Sequence, residues 1–161
     1  MYKVAVIMGS ANDLPVMKKC VTTLQEFGVQ ADLRVISAHR TPDAAHDFAV
    51  NAKNNGYSAI IAAAGMAAHL AGVLAAYTAL PIIAVPVKSS LDGLDALLAM
   101  VQMPPGIPVA TVAIDGAQNA ALLAVQIIAS HDGEMYQKLL GFKKKMAEDV
   151  AAKDRDIVNQ L

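Results

Sequence analysis

Three short segments of the chain hold the residue types that could do chemistry. Ser37-Ala38-His39-Arg40-Thr41-Pro42 sets a side chain that exchanges protons near neutrality beside a permanent cation, just ahead of a helix start. A histidine so placed can move a proton on a bound substrate; one that only makes a structural hydrogen bond would have the same local sequence. Gly9-Ser10-Ala11-Asn12-Asp13 offers flexible backbone amides, a hydroxyl and a helix N-terminus, a composition suited to phosphate or another small anion. Asp13 could accept hydrogen bonds from a ribose. A tight strand-to-helix turn capped by Asn12 or Asp13 explains the same residues without a ligand. The third segment, Ala64-Gly65-Met66-Ala67-Ala68-His69-Leu70-Ala71-Gly72, is a small-residue helix start with one histidine. Such a backbone lets a ligand approach closely and leaves helix N–H groups for a carboxylate, and close helix packing is the plainer alternative. His46 and His131 stand in helical contexts without polar company and read as structural. Neither the histidines nor the acids have metal-ligand spacing.

These segments lie between elements of alternating type. Val4 to Met8, Ala31 to Ile36, Ser58 to Ala64, Pro81 to Val87 and Val109 to Ile114 are apolar runs of strand length. The runs at Ser58 and Pro81 lack polar alternation, as expected of parallel strands covered on both faces. Between them, Leu14, Met17, Val21 and Leu24 recur at helical spacing and Gly28 can end that helix in a left-handed conformation. Thr41-Pro42-Asp43 starts a second helix through a capping hydroxyl, a proline at the first position and an acid at the positive dipole end, and Gly56 closes it after Asn55. Met66 to Tyr77, Leu91 to Met100 and Ala117 to Ala129 read as further helices, the last apolar nearly all round and so buried on more than one side. An amphipathic helix over about 133–160, carrying Met135, Leu139, Phe142, Met146 and Val150, ends the chain. The pattern predicts one α/β domain over residues 1–161, a flavodoxin-like three-layer sandwich with a five-stranded parallel sheet in the order 2-1-3-4-5. That order places the loops after strands 1, 2 and 3, which are the three segments above, around one crevice.

Composition narrows the function classes. The chain has 161 residues, room for one domain, and 55% of them are apolar against 17% charged. Gly56 to Val87 contains no Asp, Glu, Lys or Arg, yet Gly65, His69, Gly72, Thr78 and Pro81 interrupt it, so a core or an interface is the better reading than a membrane span. A net charge of −1 gives no footprint for nucleic acid or an anionic membrane. The single cysteine, Cys20, and the absence of a signal-peptide pattern point to the cytosol. Lys88 is the only basic Lys or Arg between Lys53 and Lys138. The apolar surplus on so short a chain is what an obligate oligomer shows, with the alanine-rich third helix expected to be buried against other subunits.

Met8-Gly9-Ser10-x-x-Asp13, Ser37-Ala38-His39-Arg40-Thr41-Pro42, Gly65-x-Ala67-Ala68-His69-Leu70-x-Gly72, Gln102-Met103-Pro104-x-Gly106-x-Pro108-Val109 and Asn119-Ala120-Ala121-Leu122-Leu123-Ala124 occur in order along nearly the whole chain. Together they resemble the PurE family of purine biosynthesis. The resemblance implies a mutase that moves a carboxylate from the exocyclic nitrogen of N5-carboxyaminoimidazole ribonucleotide to C4 of its ring, without a cofactor, in a cytoplasmic homo-octamer coupled to an ATP-dependent synthetase. It implies His39 as the catalytic acid and base. Substrate would be held by Ser10, Asp13, Ser37, Arg40, Gly65, Ala67, Ala68, His69 and Leu70, with Gly9, Asn12 and Ala38 beside them. Asn12 replaces a usual Ser, Met66 a usual Gly and Ala71 a usual Pro. Family members that carboxylate aminoimidazole ribonucleotide directly with CO2 typically read Ser-Ala-His-Lys and lack Ala-Ala-His-Leu, so Arg40 and Ala67 to Leu70 favour the mutase. A non-catalytic module that only senses a ribonucleotide is the remaining alternative.

Overall fold

The structure is a computed structural model and describes residues 1–159. Two compact units make up the chain, one from Met1 to Val125 and one from Gln126 onward. In the first, β1 (Lys3–Met8), β2 (Gln30–Val35), β3 (Tyr57–Ala64), β4 (Ile82–Pro86) and β5 (Ala110–Thr111) form one parallel sheet in the order β2-β1-β3-β4-β5. α1 (Leu14–Glu26), α2 (Pro42–Asn51), α3 (Leu70–Tyr77), α4 (Leu94–Val101) and α5 (Ala117–Ala129) connect or follow the strands, and α6 (Gly133–Val158) lies in the second unit. The expected sandwich and strand order are those observed; residue 160, the expected end of the last helix, lies outside the described residues.

Strand alternation divides the core. Ala5, Ile7, Ile60, Ala62, Ile82 and Ala84 point to the face covered by α2, α3 and α4, where they meet Ala45, Ala49, Ala71, Leu74, Ala96 and Met100. Val4, Val6, Ala59, Ile61, Ile83 and Val85 alternate with them, are equally buried, and so face the other side, where α1 packs on β1 and β2. Right-handed crossovers require this division, because the chain steps from β1 outward to β2 and then reverses to β3, β4 and β5. The reversal opens a crevice at the carboxyl ends of β1 and β3. At the amino ends, the Tyr57 hydroxyl donates to Asp32, and Lys3 Nζ lies 4.1 Å from the Tyr57 ring centroid and 3.8 Å from Asp32, joining the three strands whose far ends carry the loops.

The charge-free stretch is mostly core. β4 is buried throughout and β3 nearly so, while Ala71 and Leu74 of α3 turn into the chain's own interior. Small residues on both helices let α2 pack against α3.

Several boundaries differ from the sequence pattern. α3 begins at Leu70 rather than Met66, because Met66 takes a left-handed φ of 55° and the amides of Ala68 and His69 bond back only two residues. α4 begins at Leu94 rather than Leu91, because Leu91, Asp92 and Gly93 are left-handed in succession, with φ of 44°, 53° and 88°. α2 stops at Asn51, and turns carry the chain on to Gly56. β5 keeps only two ladder residues of the six expected; beyond them the chain bends and touches β4 singly, through Val112 N to Ala84 O and Asp115 N to Pro86 O. Neither Asn12 nor Asp13 caps α1 with its side chain: Ser10 caps a single 3-10 turn at Ala11–Asp13 that leads into it. The Thr41 hydroxyl does not cap α2, being bonded to Ser37 instead. On α5 the fully buried residues Ala117, Ala120, Ala121, Ala124, Val125 and Ile128 form a stripe, with Leu122 and Leu123 half-buried beside it. On α6 only the early part of the expected stripe is buried, at Met135 and Leu139; Met146 and Val150 are exposed.

Candidate active site

The loops after β1, β2 and β3 meet in a cavity of about 600 Å³. Gly9, Ser10, Asn12, Asp13, Ser37, Ala38, His39, Arg40, Gly65, Ala67 and Leu70 all line it. Ala68 is fully buried in the core beneath the third loop, and His69 reaches the site through its hydrogen bond to His39.

Each loop is held by short local bonds. Ser10 Oγ accepts from the Asn12 amide at 3.2 Å, and the Asp13 carboxylate accepts from the Ser10 amide at 3.1 Å, a reciprocal capping box. Asp13 is only 7% exposed, and this burial pushes its carboxyl pKa up, with the Ser10 amide opposing the shift. In the second loop the Thr41 hydroxyl donates to Ser37 O at 3.0 Å and accepts from Ser37 N at 2.9 Å. Arg40 joins the first two loops, donating from Nη2 to Gly9 O at 3.1 Å and from Nε to Ser37 Oγ at 3.4 Å. Two points of attachment fix the plane of the guanidinium beside the anion-type loop.

His39 and His69 were expected to serve the crevice from different loops, and the fold makes them partners. Nε2 of His39 lies 2.9 Å from Nδ1 of His69, with the rings edge-on, 5.0 Å between centroids. One nitrogen donates and the other accepts, so the bridge holds one proton between two exposed rings. The left-handed Met66 makes this possible: it delays the helix until Leu70 and leaves His69 at the N-cap position without a capping bond, its ring turned to His39. β2 and β3 flank β1, so the sheet order itself brings the two histidine loops to one opening.

The pattern reading missed the fourth wall. Val87, Lys88 and Ser89, in the loop after β4, also line the cavity. A Cβ on Gly65 would lie 2.8 Å from Ser89 Oγ and 3.2 Å from Val87 O, so the bare glycine lets the β3 and β4 exits close together. The Asp115 carboxylate accepts from the Lys88 amide at 2.9 Å and anchors this wall to the loop before α5. Two signals were available: the β3–β4 adjacency of the expected sheet, and the isolation of Lys88 in a long stretch without other cations. Gly72 serves packing, since a Cβ there would meet Met103 Sδ at 3.2 Å.

Residues 3–149 match the profile of the AIR carboxylase family. Over 147 residues the chain is 56% identical to a Pyrococcus abyssi protein named N5-carboxyaminoimidazole ribonucleotide mutase, covering 91% of this chain and 84% of that one. A Methanocaldococcus jannaschii protein of the same name is 51% identical over 154 residues, 96% of each chain. The crystal structure of Treponema denticola PurE superposes with a TM-score of 0.89 at 27% identity, over 97% of this chain and 98% of that one. All five sequence blocks and every residue of the crevice fall inside the matched span, and the chain belongs to the AIR carboxylase family.

Proposed function

We propose that the chain is a mutase of purine biosynthesis that converts N5-carboxyaminoimidazole ribonucleotide to 4-carboxy-5-aminoimidazole ribonucleotide. The observation that carries this reading is identity above one half to relatives of that name, across the whole span that builds the crevice. The site's chemistry agrees with it. Moving the carboxylate breaks the bond from the exocyclic nitrogen to CO2 and forms one from C4 to CO2, while one proton travels from C4 to the nitrogen. His39 gives the nitrogen its proton as CO2 departs and takes the C4 proton once the new bond has formed, so the enzyme ends unchanged. His69, bonded to His39, steadies the ring and shares the proton. Arg40, Ser10 and the amides of the first loop hold the phosphate, Asp13 the ribose hydroxyls, and Ala67 to Leu70 shield the migrating carboxylate from water.

The purified chain should form product from the N5-carboxy substrate without added bicarbonate, and far more slowly from aminoimidazole ribonucleotide with bicarbonate. The reverse preference in an absorbance assay would assign it to direct carboxylation, and tight binding with no turnover to a sensing module. The same reading includes a cytoplasmic homo-oligomer, an octamer by analogy with the family, supplied by an ATP-dependent synthetase. Exposed Leu94, Leu98 and Val101, at helical spacing on α4, support an interface. Sedimentation should find assemblies several times the 16.8 kDa chain, and a fully active monomer would overturn this.

A further inference from the structure

Arg40 and Lys88 are the cationic residues that line the crevice. Arg40 is tied to Gly9 and Ser37, beside the loop that suits a phosphate. Lys88 leaves the sheet at β4. Because the Arg40 guanidinium sits at the Gly9 carbonyl by the β1 exit, two strand spacings of about 4.8 Å, roughly 10 Å, separate it from the β4 exit in the order β1-β3-β4. The two cations therefore bracket the opening, and a ligand with an anionic group at each end can meet both.

Lys88 is built into its place. Its amide is held by Asp115, a left-handed residue with φ of 56°, whose own amide bonds Pro86 O at 2.8 Å. Following it, Leu91, Asp92 and Gly93 form a left-handed turn that is unfavourable for the first two residues. That turn brings Asp92 back over the loop, 3.0 Å from Lys88 Nζ. The pair is exposed, 59% and 87% by side chain, so it is weakly held and readily exchanged for another anion. A fixed main chain with a flexible four-carbon stem suits an ammonium that moves between two partners.

We propose that Lys88 recognises the substrate carboxylate, with Asp92 as its resting counter-ion, and that it makes the crevice prefer carboxylated over uncarboxylated ribonucleotides. The proposal rests on the mutase reading and adds its specificity residue. Phosphate at the Ser10 and Arg40 end sends the ring toward the β3 and β4 exits, where Lys88 supplies the positive charge. Asp92 holds the ammonium through an exposed pair and yields it to the substrate carboxylate.

Lys88→Ala should raise KM for the N5-carboxy substrate about tenfold, the effect of one lost charge-assisted contact, while the inhibition constant of aminoimidazole ribonucleotide, which lacks the carboxylate, moves less than about twofold. Lys88→Gln, which keeps the length of the stem, should behave alike. Asp92→Asn should lower that KM about two- to threefold, and should have no effect once Lys88 is alanine. Equal weakening of both ligands, or of neither, would overturn the assignment. Calorimetry of the 4-carboxy product and of aminoimidazole ribonucleotide on wild type and Lys88→Ala tests it without catalysis. Wild-type chain that binds both but turns over neither refutes the mutase reading, and the calorimetric ratio still decides the role of Lys88.

Discussion

Replacing His39 by asparagine is expected to reduce turnover by at least about a hundredfold while the melting temperature stays within a degree or two of wild type. The first half follows from the proton count. One proton must leave C4 and one must reach the exocyclic nitrogen, and an amide can do neither. The second half follows from exposure: His39 is at the surface of the crevice and its side-chain bond is to His69, itself exposed, so nothing in the core depends on it. Asparagine matches the inner ring nitrogen and is too short to reach His69 as Nε2 does, but the loop from Ser37 to Thr41 is pinned by its own hydroxyls and by Arg40 and keeps its shape without that bond. Binding of the 4-carboxy product should therefore survive, separating a lost kcat from a lost site. The measurement is kcat beside a calorimetric affinity. A variant within tenfold of wild-type kcat would mean that another group moves the proton, and His69 would be the next to replace.

How far sequence reached depended on whether a feature has a compositional signature. Burial does: the uninterrupted apolar runs at Ser58 and Pro81 became inner strands, and the bounds expected for Ala117 to Ala129 are those observed. The switch point was also legible, because alternating strands and helices leave few topologies and the polar residues of unusual type sat at the right strand ends. Left-handed backbone at non-glycine residues has no such signature. Met66 and Leu91 look like helix residues by type, and Asp92-Gly93 alone carries a turn signal, yet the positive φ of Met66, Leu91 and Asp92 moves two helix starts by three or four positions. Those displacements free His69 to meet His39 and set Asp92 against Lys88. The parts of the site least visible in the sequence are thus the ones made by unfavourable backbone, where local preference is overridden by the loops packed around it.

Gly93 is where that override should be most sensitive. Gly93→Ala is expected to destabilise the chain by about 2–3 kcal/mol, roughly 5–10 °C of melting temperature for a domain this size. An alanine at φ of 88° costs about 1 kcal/mol for the left-handed conformation alone. Its Cβ would also lie 2.8 Å from Ile114 Cγ2 and 3.2 Å from the Cα of Lys88. The isoleucine can give a little, but the Lys88 backbone cannot move freely while Asp115 holds its amide. Gly28 and Gly56 isolate the two contributions, since both have positive φ, of 76° and 81°, with nothing within 4 Å of an added Cβ. Alanine there should cost only the conformational part, about 1 kcal/mol. Thermal melts of the three variants therefore measure the steric share directly. Because the backbone of Lys88 is one of the neighbours in the way, Gly93→Ala should also raise KM for the carboxylated substrate, whereas Gly28→Ala and Gly56→Ala, which precede the amino ends of β2 and β3, opposite the crevice, should not. A Gly93→Ala melt equal to that of Gly28→Ala would mean that the turn before α4 yields without strain, and that the wall carrying Lys88 is looser than its bonds imply.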